Sequence, residues 1–505
     1  MRSLLSLALL SGAAVTSHAG EVTFAEHIAP MVYDKCASCH RPGQVGPFPL
    51  LTYEDVSKRA RTIEGVIESR YMPPWKAEPG HVEYADSRRL TDAQIEAFSA
   101  WVKAGKPKGD MSKAPKLPSF PNGWQLGEPD LVISMKDAFE VPADGPDVYR
   151  SFVLPLRLPE DKWVKAVELK STATGAMHHA IFFLDSTGQA RKRDGEDGKP
   201  GFRGMVVPSG GLGGYVPGTT PTPLPEDLAM RLPANSDVVM QTHFHPSGKA
   251  EKEQAKMALY FADKEPSRNL VGVQVPAAFG RFKIGTIKAG DAEHVVTDSY
   301  KIPVDVKAWR VGGHAHYICK EMKMSAELPS GKELVLMNIT DWDLDWQDDY
   351  TFKEAIDLPA GTVLKTRLVY DNSADNPENP HSPPKNVRFG RQSNDEMGSV
   401  TLIVTAKESG DERTLRRSAL FNASPLGGSR SLLDGRGAEK EPEQPRGRNL
   451  NPTQVMRALD RNRDGKLDEG EIPERLKRLV PFIDADKNGE ITAEELEAAQ
   501  KRFRR

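Results

Sequence analysis

Residues 236–244 read Ser-Asp-Val-Val-Met-Gln-Thr-His-Phe, and the apolar and β-branched side chains of this run predict a buried β-strand. Comparable runs occur at residues 130–134, 163–169, 180–184, 363–370 and 400–405, separated by Gly and Pro turns. Many short strands without long amphipathic helices indicate β-sandwiches. We therefore expect two β-sandwich, jelly-roll-like domains, one over residues 123–275 and one over residues 276–410.

Six of the twelve histidines lie in three closely spaced pairs, His178-His179, His243-Phe244-His245 and His314-Ala315-His316. Residues two apart on a strand point the same way, so His314 and His316 can bind one ion. The adjacent His178 and His179 normally point in opposite directions, so sharing an ion needs a twist, a bulge or different ring nitrogens. These pairs predict two metal sites.

Met397, in the segment Ser393-Asn394-Asp395-Glu396-Met397, narrows the choice of metal. A thioether disfavours magnesium, calcium and usually zinc, whereas imidazole with thioether suits copper. A zinc site at His314 and His316 with Glu321 or Asp341 is the alternative, but it leaves Met397 without a role. Cys319 is interpreted as a small buried apolar side chain.

These motifs resemble the type II, ascorbate-dependent copper monooxygenases, the group that contains peptidylglycine α-hydroxylating monooxygenase and dopamine β-monooxygenase. The matching segments are Met177-His178-His179, Gln241-Thr242-His243-Phe244, His314-Ala315-His316 and Asp395-Glu396-Met397, in the family's order over about 290 residues. The resemblance implies that His178, His179 and His243 hold an electron-transfer copper. It also implies that His314, His316 and Met397 hold the catalytic copper that binds O2, across a solvent-filled cleft.

The chain departs from the family pattern at three places. His245 is an extra histidine, so the sequence leaves the choice between His243 and His245 open, with His243 favoured by alignment. The animal members carry several disulfides, whereas this core has only Cys319. Gly312-Gly313 shifts the spacing between Arg310 and the His-x-His motif, so substrate contacts are not carried over.

Lys35-Cys36-Ala37-Ser38-Cys39-His40 contains the Cys-x-x-Cys-His pattern of c-type haem attachment, with both cysteines forming thioether bonds and His40 binding the iron. A redox dithiol or half of a zinc site is the lesser alternative, because the chain has no second cysteine pair. Met72 is the candidate sixth ligand, and packing on the haem edge is its alternative role. Residues 20–110 resemble a small α-helical cytochrome c domain, with Thr91 capping a helix.

The tail contains two sequences that match the calcium loop of an EF hand. Each has oxygen ligands at the expected positions, a glycine at position 6 and a glutamate at position 12. The first loop would bind calcium through Asp460, Asn462, Asp464, Lys466, Asp468 and Glu471. The second would use Asp484, Asp486, Asn488, Glu490, Thr492 and Glu495. We expect an α-helical EF-hand pair over residues 451–505, serving structural stiffening or docking to a protein partner.

Residues 1–19 have one arginine, a short apolar run and a small-residue end, which is typical of a secretory signal. We therefore expect an exported protein, periplasmic or extracellular, with no integral membrane segment. Removing Arg2 would change the formal charge from −3 to −4, which disfavours nucleic acid as a partner. Residues 111–122 and 411–450 are predicted linkers, the second flexible.

The sequence thus predicts a multidomain oxidoreductase: an exported monooxygenase with two copper ions, haem c and calcium. It would hydroxylate a C–H bond of an unknown organic substrate with O2, using electrons that its haem receives from a soluble or respiratory donor. A non-catalytic haem and copper electron-transfer or copper-binding protein is the main alternative. A copper oxidase or nitrite reductase is disfavoured, because that class usually needs a copper-binding cysteine and Cys319 is badly placed.

Overall fold

The computed structural model describes residues 21–422 except 81, 86, 122, 207–208, 219–220, 226 and 391, and then residues 466–468, 480–486, 488–492, 494–496 and 498. The chain divides into two compact units, residues 1–435 and residues 436–505, which we describe separately. The predicted signal segment lies outside the described residues. None of the described helices is long and apolar enough to cross a membrane.

The first unit begins with a group of short helices. They are α1 (Ala29–Lys35), preceded by a wider helical turn at Phe24–Ile28, α2 (Tyr53–Lys58), α3 (Ala60–Glu68) and α4 (Asp92–Lys103). Thr52 and Thr91 each begin a helix with a capping box, in which the threonine side chain accepts a hydrogen bond from the backbone three residues later. Phe24, Phe98 and Trp101 are fully buried in the core that these helices share.

Sheets I and II form the first half of the strand region. Sheet I has the strand order β1-β10-β4-β7-β11: β1 (Leu131–Ser134), β10 (Lys256–Phe261), β4 (Lys162–Lys170), β7 (Leu228–Leu232) and β11 (Arg268–Asn269). Sheet II has the order β3-β8-β5-β6: β3 (Val148–Pro155), β8 (Asp237–Phe244), β5 (Met177–Asp185) and β6 (Gly210–Tyr215). Their apolar side chains meet in one core, which includes Phe152, Val164 and Met240.

Sheets III and IV form the second half. Sheet III has the order β12-β21-β15-β18: β12 (Val271–Val275), β21 (Gly398–Ala406), β15 (Val306–Ala315) and β18 (Asp349–Leu358). Sheet IV has the order β14-β19-β16-β17: β14 (His294–Lys301), β19 (Val363–Tyr370), β16 (Cys319–Glu327) and β17 (Glu333–Ile339). These two sheets also share a core, which contains Met322, Tyr370 and Leu402.

The remaining elements are short. Two small pairs accompany the sheets, β2 (Phe139–Val141) with β9 (Glu251–Glu253) and β13 (Thr286–Ile287) with β20 (Val387–Arg388). The described part of this unit also contains two α-helices, α5 (Gln189–Arg193) and α6 (Glu412–Asn422), and short 3₁₀ turns at Met111–Lys113, Ala277–Gly280, Leu344–Trp346 and Ser409–Asp411. The second unit contains α7 (Val480–Ile483) and the antiparallel pair β22 (Lys466–Leu467) and β23 (Ile491–Thr492).

Residues 71–89, named here the docking segment, attach the helical region to sheets III and IV. Trp75 and Ala77 are buried in the core of those sheets, and the Trp75 ring lies 4.9 Å from the Tyr350 ring, measured between centroids. The backbone of Tyr84 bridges to Phe352. Burying a side chain of this size contributes on the order of 2–3 kcal/mol. The helical region is thus anchored to the strand region through its own chain.

The predicted fold class is wrong. Of the residues that the structure describes, 34% lie in β-strands and 18% in helices, and the four main sheets resemble a four-blade β-propeller-like arrangement. No cytochrome c helical domain is obvious at the N-terminal end of the described chain, because the short helices there belong to one unit with the sheets. Sequence patterns indicate which residues form strands but not which strands pair or how the sheets are grouped, and this led the sequence to be interpreted as two separate β-sandwich domains. The exact domain boundaries stay a prediction.

Candidate metal centres

The first histidine group lies where β5 and β8 pair in sheet II. Met177 is opposite Phe244 and His179 is opposite His243, so the register shifts by one residue at His178. An extra residue of this kind is a β-bulge, which bends a strand and changes the direction of a side chain. The bulge lets two consecutive histidines approach His243: the ring centroids of His178 and His179 lie 5.2 Å and 4.8 Å from that of His243.

Each of these three histidines has a buried ring nitrogen without a hydrogen-bond partner, namely the Nδ1 atoms of His178, His179 and His243. Asp345 Oδ1 lies 2.8 Å from His178 Nδ1, but outside hydrogen-bonding geometry. Buried polar atoms normally have partners, since leaving one unsatisfied costs about 1–3 kcal/mol. Three such atoms in one cluster fit a site for a cation that accepts nitrogen ligands.

Asp147 distinguishes the two histidines of the middle pair. Its carboxylate accepts hydrogen bonds from His243 Nε2 and His245 Nδ1, both at 2.8 Å. Because the Nε2–H of His243 is used in this way, its buried Nδ1 carries the lone pair. His245 also keeps one ring nitrogen free, its Nε2, but its side chain is 57% exposed, against 0% for His243. The geometry therefore favours His243 over His245 as a metal ligand.

The second histidine group lies where β15 meets β21 in sheet III. His314 is opposite Ser399 and Ala315 is opposite Gly398, which brings His316 next to Met397, the residue just before β21. The ring centroids of His314 and His316 are 5.5 Å apart. The strand pairing thus collects the three residues that the sequence predicts for the second metal.

The Nδ1 atoms of this second pair are both occupied. His314 Nδ1 donates to Gln347 Oε1 at 2.6 Å, and His316 Nδ1 donates to the backbone carbonyl of Asp395 at 3.2 Å. These bonds leave each Nε2 as the nitrogen with a free lone pair. The donor set is two Nε2 atoms and the sulfur of Met397, a combination that suits copper.

Glu396 fixes the backbone around this second group. One carboxylate oxygen accepts hydrogen bonds from the backbone N–H of His316 at 2.7 Å and of Met397 at 2.8 Å. The side chain is fully buried, and burial raises the pKa of Glu396 to about 8. A single oxygen of Glu396 thus fixes the backbone of two candidate ligands, His316 and Met397.

Both groups border a single cleft of about 2390 Å³, whose lining includes His179, His314, His316 and Met397. Burial lowers the pKa of His179 well below its ordinary value, and the charges of His243 and His314 lower it further. Burial also lowers the pKa of His314 to about 4 and that of His316 to about 3. These imidazoles are neutral at pH 7, which is the form that binds a metal.

One hydrogen bond connects the surroundings of the two groups. Tyr317, which follows His316 in the chain, donates to Asp147 at 2.7 Å, and Asp147 also holds His243. Burial alone would raise the pKa of Asp147, but hydrogen bonds from His243 and Tyr317 outweigh it and lower this pKa below its ordinary value. A charged Asp147 therefore fixes residues beside both groups.

The candidate ligand atoms of the first histidine group lie too far apart to meet at one metal position. Within the described ranges, three ligand atoms of His, Cys, Asp or Glu within 4.8 Å of one another occur only at Asp484, Asp486 and Glu495. Binding an ion at His178, His179 and His243 would thus require their rings to move closer together. The imidazole rings can rotate while strand pairing keeps the backbone in place, so the fold is compatible with such a movement.

The Cys-x-x-Cys-His segment follows α1. Cys36 and Cys39 are both free, and His40 Nδ1 donates to the carbonyl of Phe48 at 3.0 Å, which leaves Nε2 available to a metal. A side chain at Gly46 would place a Cβ 2.8 Å from His40 Nδ1 and from the carbonyl oxygen of Cys39, so only glycine fits. These features fit haem attachment. Met72 is half-buried and begins the docking segment with Tyr71.

The second calcium loop is largely described. Asp484 accepts hydrogen bonds from the backbone of Asn488 and Gly489, and Gly489 has a φ of +85°, as the sharp turn requires. Glu495 accepts from the backbone of Ala485 at 2.8 Å, and Thr492 lies in β23. Lys466 donates to Glu490 at 2.7 Å, which connects the two loops. In the first loop only Lys466 and Asp468 are described; Asp460, Asn462, Asp464 and Glu471 lie outside the described residues.

Several residues at the histidine groups were not found from the sequence, namely Asp147, Tyr317, Asp345, Gln347 and Glu396. Asp147 lies 96 positions from His243, so no local spacing connects them. Tyr317 and Glu396 are adjacent to candidate ligands, and this adjacency was the only available signal. Their roles depend on strand pairing, which the sequence does not specify.

Comparison with known proteins identifies the tail alone. The sequence model of the EF hand matches residues 454–472 and 482–499. No curated protein matches the chain. The chain therefore contains an EF-hand segment, and this segment indicates calcium binding.

Similar solved structures have low scores. N-glycanase F (PNGase F) is 10% identical, with 55% of this chain and 96% of that chain covered and a TM-score of 0.25. The major capsid protein P2 of bacteriophage PM2 is 8% identical, with 52% and 97% covered and a TM-score of 0.20. The VP2 subviral particle of infectious bursal disease virus is 11% identical, with 57% and 75% covered and a TM-score of 0.16. TM-scores this low carry no argument about this chain.

Proposed function

We propose that this protein is an exported copper-dependent monooxygenase of the type II, ascorbate-dependent family. It would use O2 to hydroxylate a C–H bond of an organic substrate, and a c-type haem attached at Cys36 and Cys39 would deliver the electrons. One observation carries the proposal: the buried Nδ1 atoms of His178, His179 and His243 have no hydrogen-bond partner, and they cluster beside the cleft that His314, His316 and Met397 also border.

The donor chemistry supports copper at both groups. Three imidazole nitrogens suit copper as well as zinc, but the thioether of Met397 favours copper at the second group. When bound, copper supplies the one-electron redox chemistry and the O2 reactivity that a hydroxylation needs. The zinc alternative with Glu321 or Asp341 is less well supported, because Glu321 pairs with Arg367 and Asp341 pairs with Lys76.

The protein side chains have three tasks in this proposal. Asp147, Gln347 and the carbonyl of Asp395 select which nitrogen faces the metal at His243, His314 and His316, respectively. Glu396 fixes the backbone of His316 and Met397. The cleft has room for an organic substrate beside both groups, with the exposed ring of Phe279 5.3 Å from His314, measured between centroids.

The haem residues support a source of electrons within the same chain. Hydroxylation consumes two electrons per turnover, and each copper would store one. His40 would bind the iron through Nε2, and Met72 is the proposed sixth ligand. A soluble or respiratory carrier would reduce this haem.

A non-catalytic electron-transfer or copper-binding protein is the second candidate. The lowered pKa of His179 and the unpaired nitrogens fit copper storage equally well, because both functions need neutral imidazoles. The cleft of about 2390 Å³ beside both groups favours catalysis, since a storage site has no need for a cleft with room for an organic substrate. For the EF-hand tail, we propose calcium-dependent stiffening or docking to a protein partner.

The proposal is tested with labelled oxygen. Copper-loaded, haem-reduced protein is incubated with a metabolite extract of its source organism under ¹⁸O2, and products with one added ¹⁸O atom are sought by mass spectrometry. We expect such products with the wild type and with the control Met111→Ala, whose side chain is exposed, and none with Met397→Ala. Equal products from wild type and Met397→Ala would refute the proposal, and an electron relay without any labelled product would favour the second candidate.

A further inference from the structure

Residues 341–349, an acidic and aromatic stretch between β17 and β18 named here the junction segment, contact both histidine groups. Asp345 Oδ1 lies 2.8 Å from His178 Nδ1, and Gln347 Oε1 accepts the hydrogen bond of His314 Nδ1 at 2.6 Å. Trp346 lies between these two residues in a helical turn formed by Leu344–Trp346. The turn therefore places one tryptophan directly between the residues that meet the two groups.

The docking segment attaches to the same stretch. Lys76 Nζ lies 2.8 Å from Asp341 and 3.5 Å from Asp343, and Arg88 forms a partly buried ion pair with Asp348. These pairs join the two segments at both ends of the junction segment. Partly buried pairs hold a geometry better than exposed ones, because solvent screens them less.

Tyr71 contacts Trp346 at the start of the docking segment. The two ring centroids lie 6.4 Å apart, with the rings edge to face at 76°. This is a favourable aromatic arrangement. Tyr71 precedes Met72, the proposed sixth iron ligand, so the contact begins one residue from that proposed ligand.

We propose that Trp346 is the positioning residue through which electrons pass from the haem to the copper sites. The inference rests on the proposed function. When bound, a ferrous haem would supply one electron and a cupric site would accept it, so the transfer would balance with no bond broken and no proton moved. Electron tunnelling is slowed most by gaps between atoms that do not touch. The contact of Tyr71 with Trp346, and of its neighbours with His178 and His314, removes such gaps.

The test follows one electron by absorbance. In anaerobic protein loaded with haem and Cu(II), a flash photoreduces the haem and its reoxidation is recorded. We expect Trp346→Leu to slow this reoxidation about tenfold, equivalent to a barrier about 1.4 kcal/mol higher, while Trp346→Phe restores most of the rate. Tyr71→Leu, which breaks the contact from the exposed side, should slow it as well. Trp124→Leu, which removes a tryptophan that packs against Ala166 and Tyr260 of sheet I, serves as the matched control.

Haem and copper contents are measured for every variant, so that a lost metal is not mistaken for a lost route. If Trp346→Leu and Tyr71→Leu both keep their metals and the wild-type rate, the inference is wrong while the proposed function stands. If the wild-type haem is reoxidised no faster with copper than without it, haem does not feed copper. That result would refute both the inference and the proposed electron supply.

Discussion

At the scale of single residues, Asp147 decides the role of the middle histidine pair. It accepts a hydrogen bond from Nε2 of the buried His243, whose Nδ1 is then buried without a hydrogen-bond partner, whereas the side chain of His245 is exposed. We expect His243→Ala to lower the copper content after dialysis from two ions per chain to one. His245→Ala is the control and should keep both. Equal copper loss in the two variants would contradict this assignment.

The histidines at the cleft also predict a pH dependence for the metal-free protein. Burial lowers the pKa of His314 to about 4 and that of His316 to about 3, below the ordinary value of about 6.5. Between these values the unfolded chain binds protons that the folded chain does not, so the free energy of unfolding falls as the pH falls. Each histidine contributes at most about 1.4 kcal/mol per pH unit to this slope.

Urea unfolding between pH 7 and pH 4 measures this slope. We expect the double variant His314→Asn/His316→Asn to show a shallower decline in the free energy of unfolding than the wild type over that range. An identical slope in both proteins would show that these imidazoles do not titrate at a lowered pKa. The metal must be absent, because it would compete with protons for the same nitrogens.

The sequence predicted the candidate ligands but not the residues that orient them. Spacing and residue type were enough to single out His314, His316 and Met397, and strand pairing brings them together. Choosing between His243 and His245 was beyond the sequence, because the choice depends on a carboxylate from another strand region. A residue that orients a ligand, such as Gln347, belongs to no recognisable sequence motif, because glutamine side chains occur throughout a chain.

At the scale of elements, the bulge in β5 is the feature that lets the adjacent residues His178 and His179 both approach His243. The sequence required a twist, a bulge or different ring nitrogens at His178 and His179, and the register shift supplies the bulge. The position of the bulge depends on how β5 pairs with β8, which lies about 60 residues away in the chain. Pairing over such a distance produces no recognisable sequence pattern near His178. The need for a bulge was therefore predictable, whereas its pairing partners were not.

The loop after the Cys-x-x-Cys-His segment gives a prediction on the haem. A Cβ at Gly46 would lie 2.8 Å from His40 Nδ1 and from the Cys39 carbonyl oxygen, so the loop must shift. We expect Gly46→Ala to reduce the fraction of chains with covalently attached haem, measured by haem absorbance per protein. Gly65→Ala, in α3 with open space around its Cβ, should attach haem normally and stabilise the protein by about 0.5–1 kcal/mol. Normal attachment in Gly46→Ala would contradict the account.

At the scale of the whole molecule, the fold class was the largest error of the sequence-based prediction. Individual strands were anticipated well; for example, the run at residues 236–244 forms β8. How sheets are grouped depends on contacts between distant strands and on the docking segment, in which Trp75 enters the core of sheets III and IV. A helix-rich prediction for residues 20–110 overlooked this insertion, because a single buried tryptophan has no periodic signal.

The tail predicts calcium binding that can be measured on the full chain. Glu495 closes the second loop with Asp484 and Asp486, whose ligand oxygens lie within 4.8 Å of one another. We expect Glu495→Gln to remove one calcium ion per chain in isothermal titration calorimetry, because it weakens a carboxylate ligand. The exposed neighbour in Glu494→Gln provides the control. Equal calcium binding by wild type and Glu495→Gln would contradict the loop assignment.

Under the proposed function, one cleft holds two copper ions, one of them bound to sulfur. X-ray absorption at the copper edge of the copper-loaded, reduced protein tests it most directly, together with the copper content. We predict two copper ions per chain, nitrogen scattering from both, and a sulfur contribution that disappears in Met397→Ala. A single copper per chain, or a sulfur contribution that persists in Met397→Ala, would contradict the account.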